Sequence, residues 1–113
     1  EARPGDRLEL ELPVQNAGRY QLEVYLTRAR DYGIVQFWLD GRKVGDPIDL
    51  YHPQVVPSGA ISLGTHEFSA GAHVLAVELV GAHPKAIPAY MFGLDYVRLR
   101  ALDAEVAPAA MQK

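Results

Sequence analysis

Residues 17–26 read AGRYQLEVYL, and the side chains change character at every step. Tyr20, Leu22, Val24 and Leu26 fall on one parity; Gln21, Glu23, Tyr25 and Thr27 fall on the other. A strand points successive side chains to opposite faces, so this segment has an apolar face for a core and a polar face for water. The same period extends in both directions. Leu8, Leu10 and Leu12 alternate with Arg7, Glu9 and Glu11. Val35, Phe37 and Leu39 alternate with Ile34, Gln36, Trp38 and Asp40. His73, Leu75, Val77 and Leu79 alternate with Val74, Ala76, Glu78 and Val80, and Val97 and Leu99 with Arg98 and Arg100. No window carries the stripe of an amphipathic helix.

Turn residues separate these runs. Pro4-Gly5-Asp6, Asn16-Ala17-Gly18 and Ser69-Ala70-Gly71 punctuate the strands, and Asp40-Gly41 is a two-residue hairpin signal. Gly45-Asp46-Pro47 and Pro57-Ser58-Gly59 read as turns bounding a short middle stretch. Closely spaced strands with short turns imply an all-β, antiparallel jelly-roll β-sandwich of about eight strands. The expected core is Leu8, Leu10, Leu12, Leu22, Val24, Leu26, Val35, Phe37, Leu39, Leu75, Val77, Leu79, Val97 and Leu99. Residues 1–102 form the sandwich in this reading, and the Ala- and Pro-rich residues 103–113 a tail or linker. The pattern A-G-x-[Y/H]-x-L-x-V-x-L occurs at Ala17–Leu26 and again at Ala70–Leu79, which reads as convergent turn-plus-strand chemistry.

Composition excludes several function classes. At 113 residues the chain is one domain, and 49% hydrophobic with 22% charged residues is globular, not disordered. A net charge of −3 without a basic run argues against nucleic acid as a partner. No apolar run reaches the roughly 18 residues of a membrane span, so no membrane partner is expected. With no cysteine there are no disulfides, no cysteine–zinc sites and no thiol nucleophile, and the redox compartment stays open.

The segments AGRYQLEVYL (17–26), VQFWLDGRKV (35–44), FSAGAHVLAVELVG (68–81) and GLDYVRL (93–99), in that order, resemble the galactose-binding-like β-sandwich. The chain is similar to carbohydrate-binding module families six and thirty-five. It is more similar still to bacterial modules attached to secreted glycoside-hydrolase-like proteins, which carry ARDYGIVQ (29–36), GDPIDLY (45–51) and YMFGLDY (90–96) in much this form. The resemblance implies a non-catalytic module that tethers a parent glycan-active enzyme to polysaccharide. It also implies an extracellular or periplasmic bacterial location. Relatives begin with an acidic strand that feeds carboxylates to a structural calcium. In this chain that strand is expected to be missing or replaced, and Asp95 is the one residue matching the calcium pair.

Candidate residues divide by chemistry. Asp46 and Asp49 are the nearest approach to a catalytic carboxylate pair, but Asp beside Gly or Pro in a loop reads as turn chemistry, so no catalytic residue is assigned. His73 shares its strand's apolar face and reads as a packed imidazole with a hydrogen-bond partner. His52, His66 and His83 show no metal-ligand spacing. Asp95 falls on the parity of Val97 and Leu99, where a buried carboxylate must be hydrogen-bonded, paired or metal-bound.

Sugar recognition needs an aromatic face and polar neighbours. Trp38 lies on the outer parity with Gln36 and Asp40, as a platform for a sugar or, with Ile34, as a second small core under a partner. Asp31, Tyr32, Tyr51, His52, Lys85 and Tyr90 are the loop candidates, because relatives bind ligands in loops at one end or on a concave sheet face. Tyr20 and Phe92 are assigned to packing, with the Tyr20 hydroxyl tied to a loop carbonyl. The alternative function is a structural module that docks a catalytic domain or mediates oligomerisation.

Overall fold

The computed structural model describes residues 5–81 and 93–102. The described strands are β1 (Arg7–Val14), β2 (Gly18–Arg28), β3 (Ile34–Leu39), β4 (Arg42–Asp49), β5 (Val56–Phe68), β6 (Gly71–Gly81) and β7 (Gly93–Ala101). They form a β-sandwich of two antiparallel sheets, ordered β1-β6-β3-β4 and β5-β2-β7. The inward parity of each central strand makes the core: Leu22, Val24 and Leu26 from β2, Val35, Phe37 and Leu39 from β3, and Leu75, Val77 and Leu79 from β6 are all buried. Val14, Val44, Leu50, Leu63 and Phe68 close it.

Two turn readings are corrected. Gly45-Asp46-Pro47 lies inside β4 and Pro57-Ser58-Gly59 inside β5. Both are bulges. Pairing steps from Val35↔Ile48 to Phe37↔Val44, leaving extra residues on β4, and from Tyr25↔Ala60 to Thr27↔Pro57, leaving one on β5. Gly45 (φ +71°) and Gly59 (φ +74°) take up the left-handed backbone that such bulges use. A strand can thus carry turn-type residues without turning. Asp40-Gly41 does form the β3–β4 hairpin, with both residues at positive φ.

The expected core is also corrected at one side of the sandwich. β4 packs against β5 and closes one side. At the other side, β1 and β7 are the edges of their sheets among the described strands and leave a groove lined by Leu8, Leu10, Leu12, Leu94, Val97 and Tyr96, among others. Leu8 is therefore 43% exposed and Leu10 half-buried outside the core, while Leu12, Val97 and Leu99 are half-buried and pack against it.

Candidate functional site

The loop candidates gather at one end of the sandwich, where β2 and β4 finish and β3 and β5 begin. Backbone bonds staple the two loops together: Ala29 N–H to Leu50 O (3.0 Å), Leu50 N–H to Gly33 O (3.1 Å) and His52 N–H to Ala29 O (3.2 Å). This brings Asp31, Tyr32, Tyr51 and His52 into one neighbourhood, and two of these side chains, Tyr32 and His52, are engaged in local structure. Tyr32 packs on the core and against Gly93, where an added Cβ would lie 3.3 Å from its ring and hydroxyl. The His52 Nδ1 accepts the Gln54 N–H at 3.0 Å. The Tyr51 N–H donates to Asp49 Oδ1 at 2.9 Å, so Asp49 acts as a turn residue. Asp31 lines a shallow cavity of about 520 Å³ with Arg30, Pro53, Gln54 and Val55, and no aromatic ring among the described residues lines it. Lys85, Tyr90, His83 and Phe92 lie outside the described residues.

Trp38 stands on the outer face of the four-stranded sheet, as its parity requires. Its Nε1–H donates to Glu78 Oε1 at 2.9 Å. The Arg7 guanidinium lies 5.3 Å and the Lys43 ammonium 5.6 Å from the ring centroid. The ring pairs across from Ala76, which is buried on this outer face. Beside it, Gln36 is 3% exposed and its amide reaches the carbonyls of Phe37 (3.0 Å), Val44 (3.2 Å) and Gly45 (3.1 Å), pinning the β4 bulge. Trp38 is thus the centre of a small outer cluster, with cations already against its π-face.

Asp95 is a correction. It was expected on the core face with Val97 and Leu99, but it is exposed. Pairing jumps from Tyr25↔Tyr96 to Leu26↔Leu94, so β7 has one extra residue there. The bulge returns Leu94 to the core side and turns Asp95 outward, where Thr27 Oγ1–H donates to its carboxylate at 3.1 Å. A hard cation takes six to eight oxygens. Among the described residues the Thr27 hydroxyl is the side-chain oxygen at Asp95, and no group of three His, Cys, Asp or Glu could hold a metal.

The same bulge builds a feature that the parity reading missed. Tyr25 and Tyr96 face each other across β2 and β7 on the outer face of the three-stranded sheet, with ring centroids 4.1 Å apart and planes within 15°. Tyr25 covers the β2-side face of the Tyr96 ring. Tyr96 also lines the groove shared with Leu8, Leu10, Glu11 and Leu12, on the side of β7 away from β2. Tyr96 is 56% exposed. Desolvation, then the charge and hydrogen bond of the Tyr25 phenol, hold the Tyr96 hydroxyl above its usual range. The next steps of the ladder pair Glu23 with Arg98 and Ser62, then Gln21 with Arg100 and Thr65. The face is therefore one stacked aromatic pair followed by polar side chains. The signal was present as Tyr25 on a polar parity, but the register that sets Tyr96 opposite it was not.

His73 sits at the far end. Its Nε2–H donates to Ser69 O at 2.8 Å and its Nδ1–H to Asp40 Oδ2 at 2.6 Å. Both nitrogens donate only in the imidazolium, so these bonds, the Asp40 one first, raise its pKa. Burial alone would raise the Asp40 pKa; the hydrogen bonds from His73 and the Val74 N–H, with the charges of His73 and Arg42, outweigh it and hold that carboxyl low. This pair locks the β3–β4 hairpin to β6. Tyr20 donates to Asn16 O at 2.6 Å, the loop carbonyl expected from its position.

No protein-family model matches the chain, and no curated protein sequence does. Solved structures do. A Paenibacillus xanthan lyase matches with a TM-score of 0.79 at 21% identity, over 90% of this chain and 10% of that one. The GH26-CBM35 β-(1,4)-mannanase of Podospora anserina matches at 0.59 and 12% identity, over 89% of this chain and 20% of that one. These likenesses show a shared β-sandwich fold. The sugar-binding C-terminal domain of EclA shares it at a TM-score of 0.52 and 15% identity, and there the chain spans 81% of the neighbour's length. The module-like sandwich thus corresponds to a small part of two enzymes and to most of one sugar-binding domain.

Proposed function

We propose that the chain is a non-catalytic carbohydrate-binding module that holds a parent glycan-active enzyme on polysaccharide outside the bacterial cytoplasm. The observation that carries this is the open ring face of Tyr96, backed by Tyr25 and followed on the same sheet face by Gln21, Glu23, Ser62, Thr65, Arg98 and Arg100. A pyranose ring has a C–H face that packs on an aromatic ring and equatorial hydroxyls that take hydrogen bonds. Tyr25 fixes the Tyr96 ring before any ligand arrives, which lowers the ordering cost of binding. Weak intrinsic affinity is enough, because tethering to a polymer-bound enzyme raises the effective concentration. The neighbours support the reading: one is a sugar-binding domain, and another carries CBM35 in its own name.

Affinity electrophoresis of the 113-residue chain through xanthan, β-mannan, xylan and galactan, with Tyr96→Ala alongside, tests this. Retardation by one polymer, lost in the variant, is the expected result. Free migration through a broad panel overturns it and leaves the docking reading. That reading is favoured by the apolar seam between β1 and β7, where Leu8 is 43% exposed.

A further inference from the structure

Resting on the carbohydrate-binding reading, we infer that the ligand of the Tyr25–Tyr96 face is an acidic glycan, one that carries a carboxylate on the sugar next to the stacked ring. On the outer face of β7, Tyr96, Arg98 and Arg100 follow one another at every second residue. Two residues of strand advance about 6.7 Å. A carboxylate substituent on or beside a sugar stacked on Tyr96 therefore comes within reach of the Arg98 guanidinium.

Arg98 hydrogen-bonds the Tyr25 hydroxyl, and with five N–H donors on each guanidinium both arginines keep donors to spare. They share one carboxylate, Glu23, at 4.0 Å from Arg98 and 3.6 Å from Arg100, longer than a hydrogen bond in both cases. Glu23 is itself only 6% exposed, and its Oε1 has no hydrogen-bond partner. A buried carboxylate placed between two half-exposed guanidinium groups orients them from below without consuming their outward N–H groups. Each guanidinium offers five donors in a planar fork that matches a carboxylate two bonds at a time.

The charges around the ring fix the polarity of the ligand. Asp95 and Glu11 border the groove on the other side of Tyr96. They repel an acidic group there and favour sugar hydroxyls, whereas on β7 the cations follow toward Arg98 and Arg100. The chain as a whole carries a charge of −3, so an unspecific attraction to polyanions does not account for binding.

The test uses matched polymers: polygalacturonate, alginate and a glucuronoxylan, each beside its carboxyl-reduced form, with neutral β-mannan and xylan included. Retardation by an acidic polymer at least tenfold stronger than by its reduced form is expected. It should be lost in both Arg98→Gln/Arg100→Gln and Tyr96→Ala, with unfolding midpoints of the variants checked. Equal binding to acidic and reduced forms, or to a neutral polymer alone, overturns the charge inference and leaves the sugar reading standing. Acid-specific binding that survives the arginine double variant overturns the inference as well. No binding to any polymer, acidic or neutral, overturns both.

Discussion

The two sheets each carry an aromatic cluster on the outer face, and the two clusters differ in what their rings have left to offer. Trp38 spends its N–H on Glu78 and its π-face on Arg7 and Lys43, and it covers the buried Ala76. Tyr96 spends one ring face on Tyr25 and keeps the other open at a sheet edge. An outward aromatic is thus not by itself a platform. Its position in the sheet decides: a ring on an inner strand has neighbours on both sides, whereas a ring on an edge strand has one side free.

Substitutions can break this contrast. The largest effect is expected from Trp38→Ala, which removes a hydrogen bond to a carboxylate and uncovers Ala76. The loss should be about 2 kcal/mol of stability, or roughly 8 °C in the unfolding midpoint, with glycan binding per folded molecule unchanged. Tyr96→Ala should do the reverse. Binding should weaken about tenfold, or ~1.4 kcal/mol, while the midpoint moves by only a degree or two, as calorimetry and affinity electrophoresis together would register. If both variants lose stability and neither loses binding, the contrast is wrong.

Gln36→Leu sharpens the picture of the Trp38 side as built structure. It keeps volume but leaves the carbonyls at the β4 bulge without their amide, and denaturant titration should show a loss of about 1 kcal/mol. The smallest effects come from pH and fluorescence. The raised His73 pKa means that its stabilising pair with Asp40 is complete below the ordinary imidazole value and is lost as pH rises through the raised one. The lowered Asp40 pKa means that the pair is lost again as pH falls through that lowered value. Partial exposure screens the pair, so a midpoint only a degree or two higher near pH 5.5 than near pH 8.5 is expected, and Asp40→Asn should flatten the difference. Trp38 emission should show intermediate quencher access and should not change on addition of glycan.

Most of the fold could be read from side-chain parity because the inner strands β2, β3 and β6 bury a full face against the opposite sheet. Parity failed where the backbone adds a residue. The bulge at Asp95 reversed the facing of one carboxylate, and the bulges at Gly45 and Gly59 looked like chain reversals. It also failed at β1, where Leu8 and Leu10 have the right alternation but face a groove, not close packing, toward β7. The candidate site was less legible. Trp38, Tyr25 and the stapled loop residues Asp31, Tyr32, Tyr51 and His52 each follow from local pattern. The stack of Tyr25 on Tyr96 depends on a register set by residues some seventy positions apart, which no local pattern encodes.

The strand order also bears on how the chain reaches this state. Among the described strands, β3 and β4 are the one pair that is adjacent both in sequence and in a sheet. Every other ladder joins segments far apart in the chain, as β1 with β6 and β2 with β7 do. The Asp40-Gly41 hairpin can close in microseconds, but the remaining ladders must wait for distant segments to meet. The seam-side edges β1 and β7, whose ladders span the longest stretches of chain, are then the last to find partners, so the edge that carries Tyr96 in the folded chain is an unsheltered strand during its assembly.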